Sequence, residues 1–494
     1  MKRIVYILLI FAVSSCSFLE IDTENKIATS EVDYSKTADM YQPVIGVYSQ
    51  LRFSGMHWAN NMLWCGRDDD MTSGRTDDQG DALLFGYRGG YQCPNSFWAL
   101  NNAWVTPYEI IRVCNSSQQA LDKYGEHLTP GTDDYANYLS YKGEVKTIEA
   151  WSYYMLVTSF GPCVLLTDNN QTRFVRATRE HVIDYALAEL DSVIPNMKRV
   201  RPDQMSHPGA FSAFTAEAVA ARLALQKGDY KRVEEYTDDI INSHLFELYN
   251  DYYNLFKIPG KLCAESLMEV QVTDFGAATG DYIGIDQWFN SMGATLTKGS
   301  GADKIDIAGW NFMQYNQAFY EWVKSRGETV RLETSCLKSG EKTKEGFSIE
   351  GSSVFNGKAY LPYDQMTEGS TEWGRNNNVR LLRYAEVLLM NAEAKVRNGA
   401  SGDASFNLVR TRASMPELTG VTIEQILDER RMELCGEWGL RYTDLVRTGM
   451  AETVLNSPSL TRDFANGEWS EAKAWWPVPG TQLMNLPDLA QNPE

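Results

Sequence analysis

Residues 214–242 read FTAEAVAARLALQKGDYKRVEEYTDDIIN and carry the clearest structural signal in this chain of 494 residues. Apolar residues recur there with the 3.6-residue period of an α-helix, at Phe214, Ala218, Ala221 and Leu225. Gly228 and Asp229 interrupt the pattern, and residues 230–242 resume it. Small alanines at the crossing allow two helices to approach closely. The stretch therefore predicts a helical hairpin.

Helical periodicity recurs in other parts of the chain. It marks residues 148–155, stopped by Gly161-Pro162, and then residues 178–193, 381–396, 405–413 and 423–434. The hairpins are of the tetratricopeptide type but lack a fixed spacing. We therefore predict a mostly α fold, in which tetratricopeptide-like hairpins form an interrupted solenoid with insertions.

Two segments lack helical order and are rich in Gly, Asn, Ser and aromatic residues. They span about residues 53–103 and 273–376. Long irregular segments within a compact chain are usually functional. We predict one domain over residues 31–494, a helical scaffold on which these two insertions face a ligand.

The N-terminus has the pattern of a lipoprotein signal. Lys2 and Arg3 precede ten apolar residues at 4–13, and Ser14-Ser15 then lead to Cys16. Ten apolar residues are too few to span a bilayer, which needs about 20, but they fit a secretory signal. We predict a signal peptide over residues 1–15, lipidation at Cys16 and a flexible arm over residues 16–30. Plain secretion is the alternative.

The composition excludes some partners. The chain has 46 Lys and Arg against 65 Asp and Glu, a net charge of −19, with a pI near 4.9. Nucleic acid and anionic lipid surfaces are disfavoured, because both are bound through clustered Lys and Arg. None of the eight Cys forms a CxxC pair, which argues against zinc. Cys114, Cys163 and Cys435 fall in apolar contexts that favour buried free thiols.

No motif for catalysis is present. The chain lacks the common hydrolase and phosphate-binding motifs, and its five His are isolated. The acidic run Asp68-Asp69-Asp70, together with Asp77 and Asp78, could supply oxygen ligands to calcium. A solvated acidic loop is the preferred interpretation, so we predict no cofactor. Glu429-Arg430-Arg431-Met432-Glu433, like Arg380 and Arg383, is interpreted as a structural ion-pair network.

The sequence resembles the SusD/RagB family of outer-membrane nutrient-binding lipoproteins over nearly its whole length. The similar strings are EAWSYY at 149–154, the hairpin at 216–230, LRYAEVLLMNAEA at 382–394, NLVRTRA at 407–413, ERRMEL at 429–434, RYTDLVR at 441–447 and WPVP at 476–479. One departure is that the family's Asp-x-Arg is represented at best by Glu328–Arg331.

This resemblance implies a surface-exposed, lipid-anchored outer-membrane protein. It would capture an oligosaccharide or polysaccharide and deliver it to a SusC-like TonB-dependent barrel. The alternative is a RagB-like protein that captures peptides, because part of the family serves peptide import. A surface glycosidase is a third hypothesis, although we predict that the protein is not an enzyme.

The chemistry of sugars indicates which residues of the insertions would bind one. Trp and Tyr faces stack on the C–H face of a sugar ring, while Asn, Asp and Arg bind its hydroxyls. The candidate ligand-binding residues on this basis are Trp64, Arg67, Asp68, Tyr87, Tyr91, Trp98, Asn101, Trp288, Trp310 and Tyr315. In contrast, Trp104 and Trp151 are predicted to lie in the core.

Overall fold

The computed structural model describes residues 32–52, 58–72, 93–273, 293–312, 314–366, 376–457 and 469–492. The predictions for Cys16, Tyr87, Tyr91 and Trp288 lie outside these residues. The helices are α1 (Gln42–Gln50), α2 (Trp58–Cys65), α3 (Trp98–Gly125), α4 (Asp133–Ser159), α5 (Arg179–Val193), α6 (Ala213–Lys227), α7 (Tyr230–Asn242), α8 (Tyr252–Leu255), α9 (Gln317–Ser325), α10 (Val330–Ser335), α11 (Tyr384–Arg397), α12 (Asp403–Arg412), α13 (Ile423–Glu433), α14 (Leu440–Arg447), α15 (Ala451–Leu455) and α16 (Gly480–Asn485).

Short strands accompany the helices. They are β1 (Met71–Thr72), β2 (Cys163–Val164), β3 (Arg176–Ala177), β4 (Ser266–Val270), β5 (Leu296–Lys298), β6 (Ile305–Ile307), β7 (Gln314–Tyr315), β8 (Cys336–Lys338), β9 (Ser348–Ile349), β10 (Val354–Asn356) and β11 (Val379–Arg383). Each pairs antiparallel with a neighbour, in the orders β1-β7-β10-β8, β6-β5-β9, β11-β4 and β2-β3.

The hairpin predicted from residues 214–242 is present as α6 and α7. Gly228 ends α6 with φ of 77°, a left-handed conformation that glycine adopts without a steric penalty. The side chain of Asp229 then caps α7 by accepting a hydrogen bond from the backbone N–H of Arg232 at 3.3 Å. The alanines of α6 are buried against neighbouring helices, as expected from their small size.

The helices form a continuous stack. Helix α3 packs on α4, α4 on α5, α5 on α6 and α6 on α7. Helix α7 then packs on α11, which lies far ahead in the sequence, and α11 packs on α12. The chain leaves the stack after residue 242 and rejoins it at residue 384. The prediction of a mostly α, tetratricopeptide-like scaffold with insertions is confirmed.

The sequence placed one boundary wrongly. A helix was expected from residue 381, but residues 379–383 form β11, and α11 begins at Tyr384. Strand β11 pairs with β4, and the N–H of Tyr384 donates to the carbonyl of Glu265 at 2.9 Å. Leu381 is buried in this strand, so its apolar character fits both interpretations.

The described parts of the two insertions are more ordered than their composition indicates. Trp98 and Asn101 lie in the first turns of α3, not in a loop. Residues 293–366 build two small sheets around a separate apolar cluster that includes Leu296, Phe347 and Phe355. Strand β1 of the first insertion pairs with β7 of the second, Met71 facing Tyr315. The two insertions therefore meet in one sheet.

The cysteines and two of the tryptophans lie where the sequence predicts them. All seven described cysteines are free, and Cys114, Cys163 and Cys435 are buried as predicted. Trp104 and Trp151 are also buried in the core. Within the described ranges, no helix combines the length and the apolar character that crossing a membrane requires.

Candidate functional site

The charged motifs near the C-terminus form a buried ion-pair network. Arg331 contacts Glu429 at 2.7 Å and Glu433 at 3.3 Å, and Arg383 contacts Glu433 at 3.1 Å. Burial alone would raise the pKa of Glu433, but the charges of Arg412, Arg383 and Arg331 outweigh it and lower the pKa to about 2. Their interpretation as a structural network is confirmed.

The same network includes other charged residues that the sequence analysis singled out. Arg331 donates to Glu328 at 2.8 Å. Glu328 therefore provides the carboxylate that Asp provides in the family's Asp-x-Arg pattern. Arg383 donates to Glu437 at 2.9 Å. Arg380 donates to backbone and amide oxygens, including the carbonyl of Lys257 at 2.7 Å. These arginines hold the scaffold together and do not face a ligand.

Arg67 and Asp68, two of the predicted ligand-binding residues, are buried. The guanidinium of Arg67 lies over the rings of Tyr442 and Trp476, at 4.2 and 4.8 Å, and donates to the carbonyl of Lys473 at 2.7 Å. A carboxylate oxygen of Asp68 accepts from the N–H groups of Asp70 and Met71, each at 2.8 Å. We correct both predictions, because these contacts turn the side chains inward.

The acidic run itself is not the solvated loop that was expected. Asp69 pairs with Arg441 at 2.8 Å, and Asp70 pairs with Arg431. Burial, followed by the charges of Asp70 and Asp69, raises the pKa of Asp68 well above its usual range. The run joins the first insertion to α13 and α14. Across the described residues, no group of three or more His, Cys, Asp and Glu side chains is arranged to hold a metal ion.

Tyr315 and Trp64 also have internal contacts. Tyr315 is buried in β7 and stacks on Phe319, with ring centroids 4.8 Å apart. The indole N–H of Trp64 donates to the hydroxyl of Ser159 at 2.7 Å, and its ring meets Trp438 edge-to-face at 6.2 Å. Tyr315 is therefore corrected to a core residue, and the polar edge of the half-buried Trp64 is directed into the scaffold.

Among the described candidates, Trp98 is exposed and Asn101 is half-buried on the same helix. Trp98 begins α3 and is 41% exposed, while the preceding Phe97 is buried and meets it edge-to-face at 5.8 Å. Asn101 follows three residues later on the helix. Its side-chain oxygen accepts a hydrogen bond from Gln482 at 2.9 Å. A large aromatic side chain and an amide are thus presented together by one rigid helical turn.

The C-terminal helix α16 is the second element of this surface. The N–H of Gly480 donates to the carbonyl of Asn95 at 2.8 Å, and Met484 is 79% exposed. Sequence reasoning missed this helix, because the terminal string was interpreted only as scaffold. We name Trp98, Asn101, Gln482 and Met484 the α3/α16 surface.

Trp310 lies in the second insertion, between β6 and β7. Its half-buried ring meets Phe312 edge-to-face at 6.0 Å. Gly309 next to it lies so close to the carbonyl of Ala294 that a Cβ would approach the oxygen to 2.3 Å. Trp98 thus contacts Phe97 and Trp310 contacts Phe312, so each of these two candidates packs against an aromatic neighbour of its own insertion.

These features define a class of protein. The stacked-helix scaffold buries an ion-pair network and presents an aromatic ring and an amide at its surface, an arrangement that is common in ligand-binding proteins. Residues 264–494 match the SusD family. Curated relatives include a SusD-like protein of Bacteroides ovatus, 22% identical over 75% of this chain and 68% of that protein. The starch-binding protein SusD of Bacteroides thetaiotaomicron is also 22% identical, over 74% of each chain.

Solved structures share the fold over almost the whole chain. Surface glycan-binding protein A from Bacteroides thetaiotaomicron, in complex with laminarihexaose, has a TM-score of 0.76 and 22% identity, and covers 92% of this chain and 99% of its own. Its counterpart from Bacteroides uniformis has a TM-score of 0.74, 25% identity and the same coverage. Residues 264–494 therefore resemble the SusD/RagB family in sequence, and almost the whole chain shares the fold of the surface glycan-binding proteins.

Proposed function

We propose that this protein is a glycan-binding protein that captures an oligosaccharide at the α3/α16 surface. The observation that carries the proposal is the exposed ring of Trp98 at the start of a rigid helix, with the Asn101 amide one turn away. Structural neighbours that are named surface glycan-binding proteins, one of them with laminarihexaose bound, support this ligand class.

The arrangement suits a sugar because it offers two kinds of contact at once. The face of an indole ring packs against the apolar C–H face of a pyranose, and an amide can both donate to and accept from its hydroxyls. Asn101 is already oriented by Gln482, which reduces the entropy lost on binding. Tyr87, Tyr91, Trp288 and Trp310 remain proposed contributors from the two insertions.

Affinity electrophoresis tests the proposal. The protein without residues 1–16 is run through native gels that contain starch, laminarin, xylan, mannan or pectin. We expect at least one polysaccharide to retard it and the Trp98→Ala variant to lose most of that retardation. If none of the polysaccharides retards the protein and an extended peptide library binds it instead, the peptide-capturing alternative replaces this proposal.

We also propose that the protein is anchored in the outer membrane through Cys16 and delivers its ligand to a SusC-like TonB-dependent barrel. The support is the lipoprotein pattern of residues 1–16 together with the SusD family match of residues 264–494. Cys16→Ser should move the protein from the membrane fraction to the soluble fraction and abolish its labelling by a fatty-acid analogue. A wild-type protein that is neither labelled nor sedimented with membranes would contradict the anchor.

A further inference from the structure

A groove separate from the α3/α16 surface lies between α1, the turn at residues 207–210 and the end of β4. Its volume is about 540 Å³, within the range of roughly 300–1,000 Å³ that is typical of small-molecule sites. The lining includes Tyr41, Ile45, Tyr48, His207, Gly209 and Gln271. The size and the mixed lining make this groove a candidate ligand site.

One wall of the groove is a flat aromatic stack. The imidazole of His207 lies parallel to the ring of Tyr41, with centroids 3.9 Å apart and 4° between the planes. His207 is exposed, so it is the accessible member of the pair. Ile45, which also lines the groove, is 44% exposed. The wall thus offers a ring face and apolar surface to a ligand.

The wall is held rigidly from behind. The hydroxyls of Tyr41 and Tyr48 both donate to one carboxylate oxygen of the buried Glu144, each at 2.9 Å. The hydroxyl of Tyr48 also accepts from the N–H of Phe211 at 2.7 Å, which ties α1 to the 207–210 turn. The surface is therefore preformed, and binding a ligand loses little conformational entropy in ordering it.

The side chain of Gln271 lines the groove and is fixed within the fold. Its side-chain oxygen accepts from the amide of Asn378 at 2.7 Å, which fixes the orientation of the Gln271 amide. The Gln271 Nε2 is buried and has no hydrogen-bond partner among the described residues. Gly209 creates the room for this amide, since a Cβ there would lie 2.7 Å from Nε2. Gln271 therefore belongs to the preformed lining of the groove, and its Nε2 is not accessible to a ligand.

The charged groups that line the groove have internal partners. Lys261 donates to the carbonyls of Val272 and Asn376, at 3.1 and 2.9 Å. Glu269 accepts from Asn378 at 2.8 Å and pairs with Arg380 at 3.7 Å. Arg52, which also lines the groove, is half-buried. Opposite charges that are engaged within the fold favour a neutral ligand over an ionic one.

We propose that this groove is a second sugar subsite, in which one neutral pyranose ring stacks on the exposed ring of His207 and packs against Ile45. The ligand class rests on the proposed function, but the place is different. A glycan long enough to occupy both places would be bound with higher avidity than at either alone.

The ring signals of histidine provide a test at the groove itself. The chain contains only five His, so the ¹H–¹³C signals of their Cε1–H groups can be assigned by single substitutions. The Trp98→Ala protein, which lacks the central ring of the α3/α16 surface, is titrated separately with glucose, galactose, mannose, xylose and laminarihexaose. We expect a saturable shift of the His207 signal with at least one of these sugars and none for the exposed His127.

Substitution of the stacking ring then tests the contact. In otherwise native protein, His207→Ala should lower the affinity for laminarihexaose, or for any retarding polysaccharide, about 5-fold, while His127→Ala leaves it unchanged. Unchanged melting temperatures would show that the variants fold.

The outcomes separate the two proposals. A His207 signal that does not respond to any of the five sugars would overturn the second subsite, whether or not the gels detect polysaccharide binding. A response of His207 in a protein that no polysaccharide retards would support the groove and count against the α3/α16 surface.

Discussion

The buried ion-pair network and the α3/α16 surface place their characteristic side chains in opposite environments. Arg383, Glu429 and Glu433 belong to strings that match a recognisable family pattern, and all three are buried. Trp98 belongs to no such string and is 41% exposed. The recognisable residues of this chain build the scaffold, and the residues that can touch a ligand carry no motif.

The difference has a physical cause. A buried charge is tolerated only with complementary partners at defined positions, so each member of an ion-pair network constrains the others. An exposed aromatic side chain has few such constraints, and many sequences can support one. Substitutions at buried and at exposed positions test this difference.

The largest change in the free energy of unfolding is expected for Glu433→Gln. This change keeps the shape of the side chain but removes the charge that Arg331, Arg383 and Arg412 share. Leaving buried guanidinium groups without that carboxylate should lower the free energy of unfolding by about 3 kcal/mol. Urea denaturation measures the change. Glu424→Gln, at an exposed position of the same helix, is the matched control and should change stability by less than about 0.5 kcal/mol.

A smaller, pH-dependent effect is expected at Glu144, beneath the groove. Burial raises its pKa to about 8, because its direct partners are two neutral tyrosine hydroxyls. Since the folded pKa lies above the unfolded value, its contribution to stability is complete below about pH 4.5 and is lost as the pH rises to about 8.

Glu144→Gln cannot ionise, so the variant should gain stability relative to the wild type between about pH 5 and pH 8, by roughly 1–3 kcal/mol. Urea denaturation at these two pH values measures it. Glu217, whose pKa burial also raises to about 8, should leave a residual slope of the same sign in the variant. A difference between variant and wild type that is the same at both pH values would contradict this account.

The smallest effect is expected for an ion pair at the surface. Lys231 and Glu235 lie 3.8 Å apart on α7, and both side chains are mostly exposed. Lys231→Ala should alter the free energy of unfolding by no more than about 0.5 kcal/mol, because water screens the pair. Comparable decreases in the free energy of unfolding for Lys231→Ala and Glu433→Gln would show that the buried network stabilises this fold no more than a surface ion pair does.

Much of the scaffold could be predicted from the sequence. The period of residues 214–225 and the break at Gly228 gave α6, α7 and their turn, because such signals are local. The partner of α7 could not be predicted, since α11 lies beyond a long excursion of the chain. Strand β11 was missed for the same reason, because only its pairing with β4 distinguishes it from a helical start.

The candidate site was harder to predict than the scaffold. The composition of the first insertion pointed to Trp98 and Asn101, but equally to Arg67 and Asp68, which the fold turns inward. Which polar residue meets an internal partner depends on segments far away in sequence, such as Lys473 for Arg67. The groove at His207 had no signal in the sequence, because its lining comes from three separate segments.

The most direct test of the central claim is calorimetric titration of the glycan that retards the protein in gels. The wild type is compared with Trp98→Ala and with Tyr363→Ala, a matched variant at an aromatic residue that is 40% exposed elsewhere on the molecule. The account predicts at least tenfold weaker binding for Trp98→Ala, a loss of about 1.4 kcal/mol, and unchanged binding for Tyr363→Ala. Equal affinities of all three proteins would contradict it.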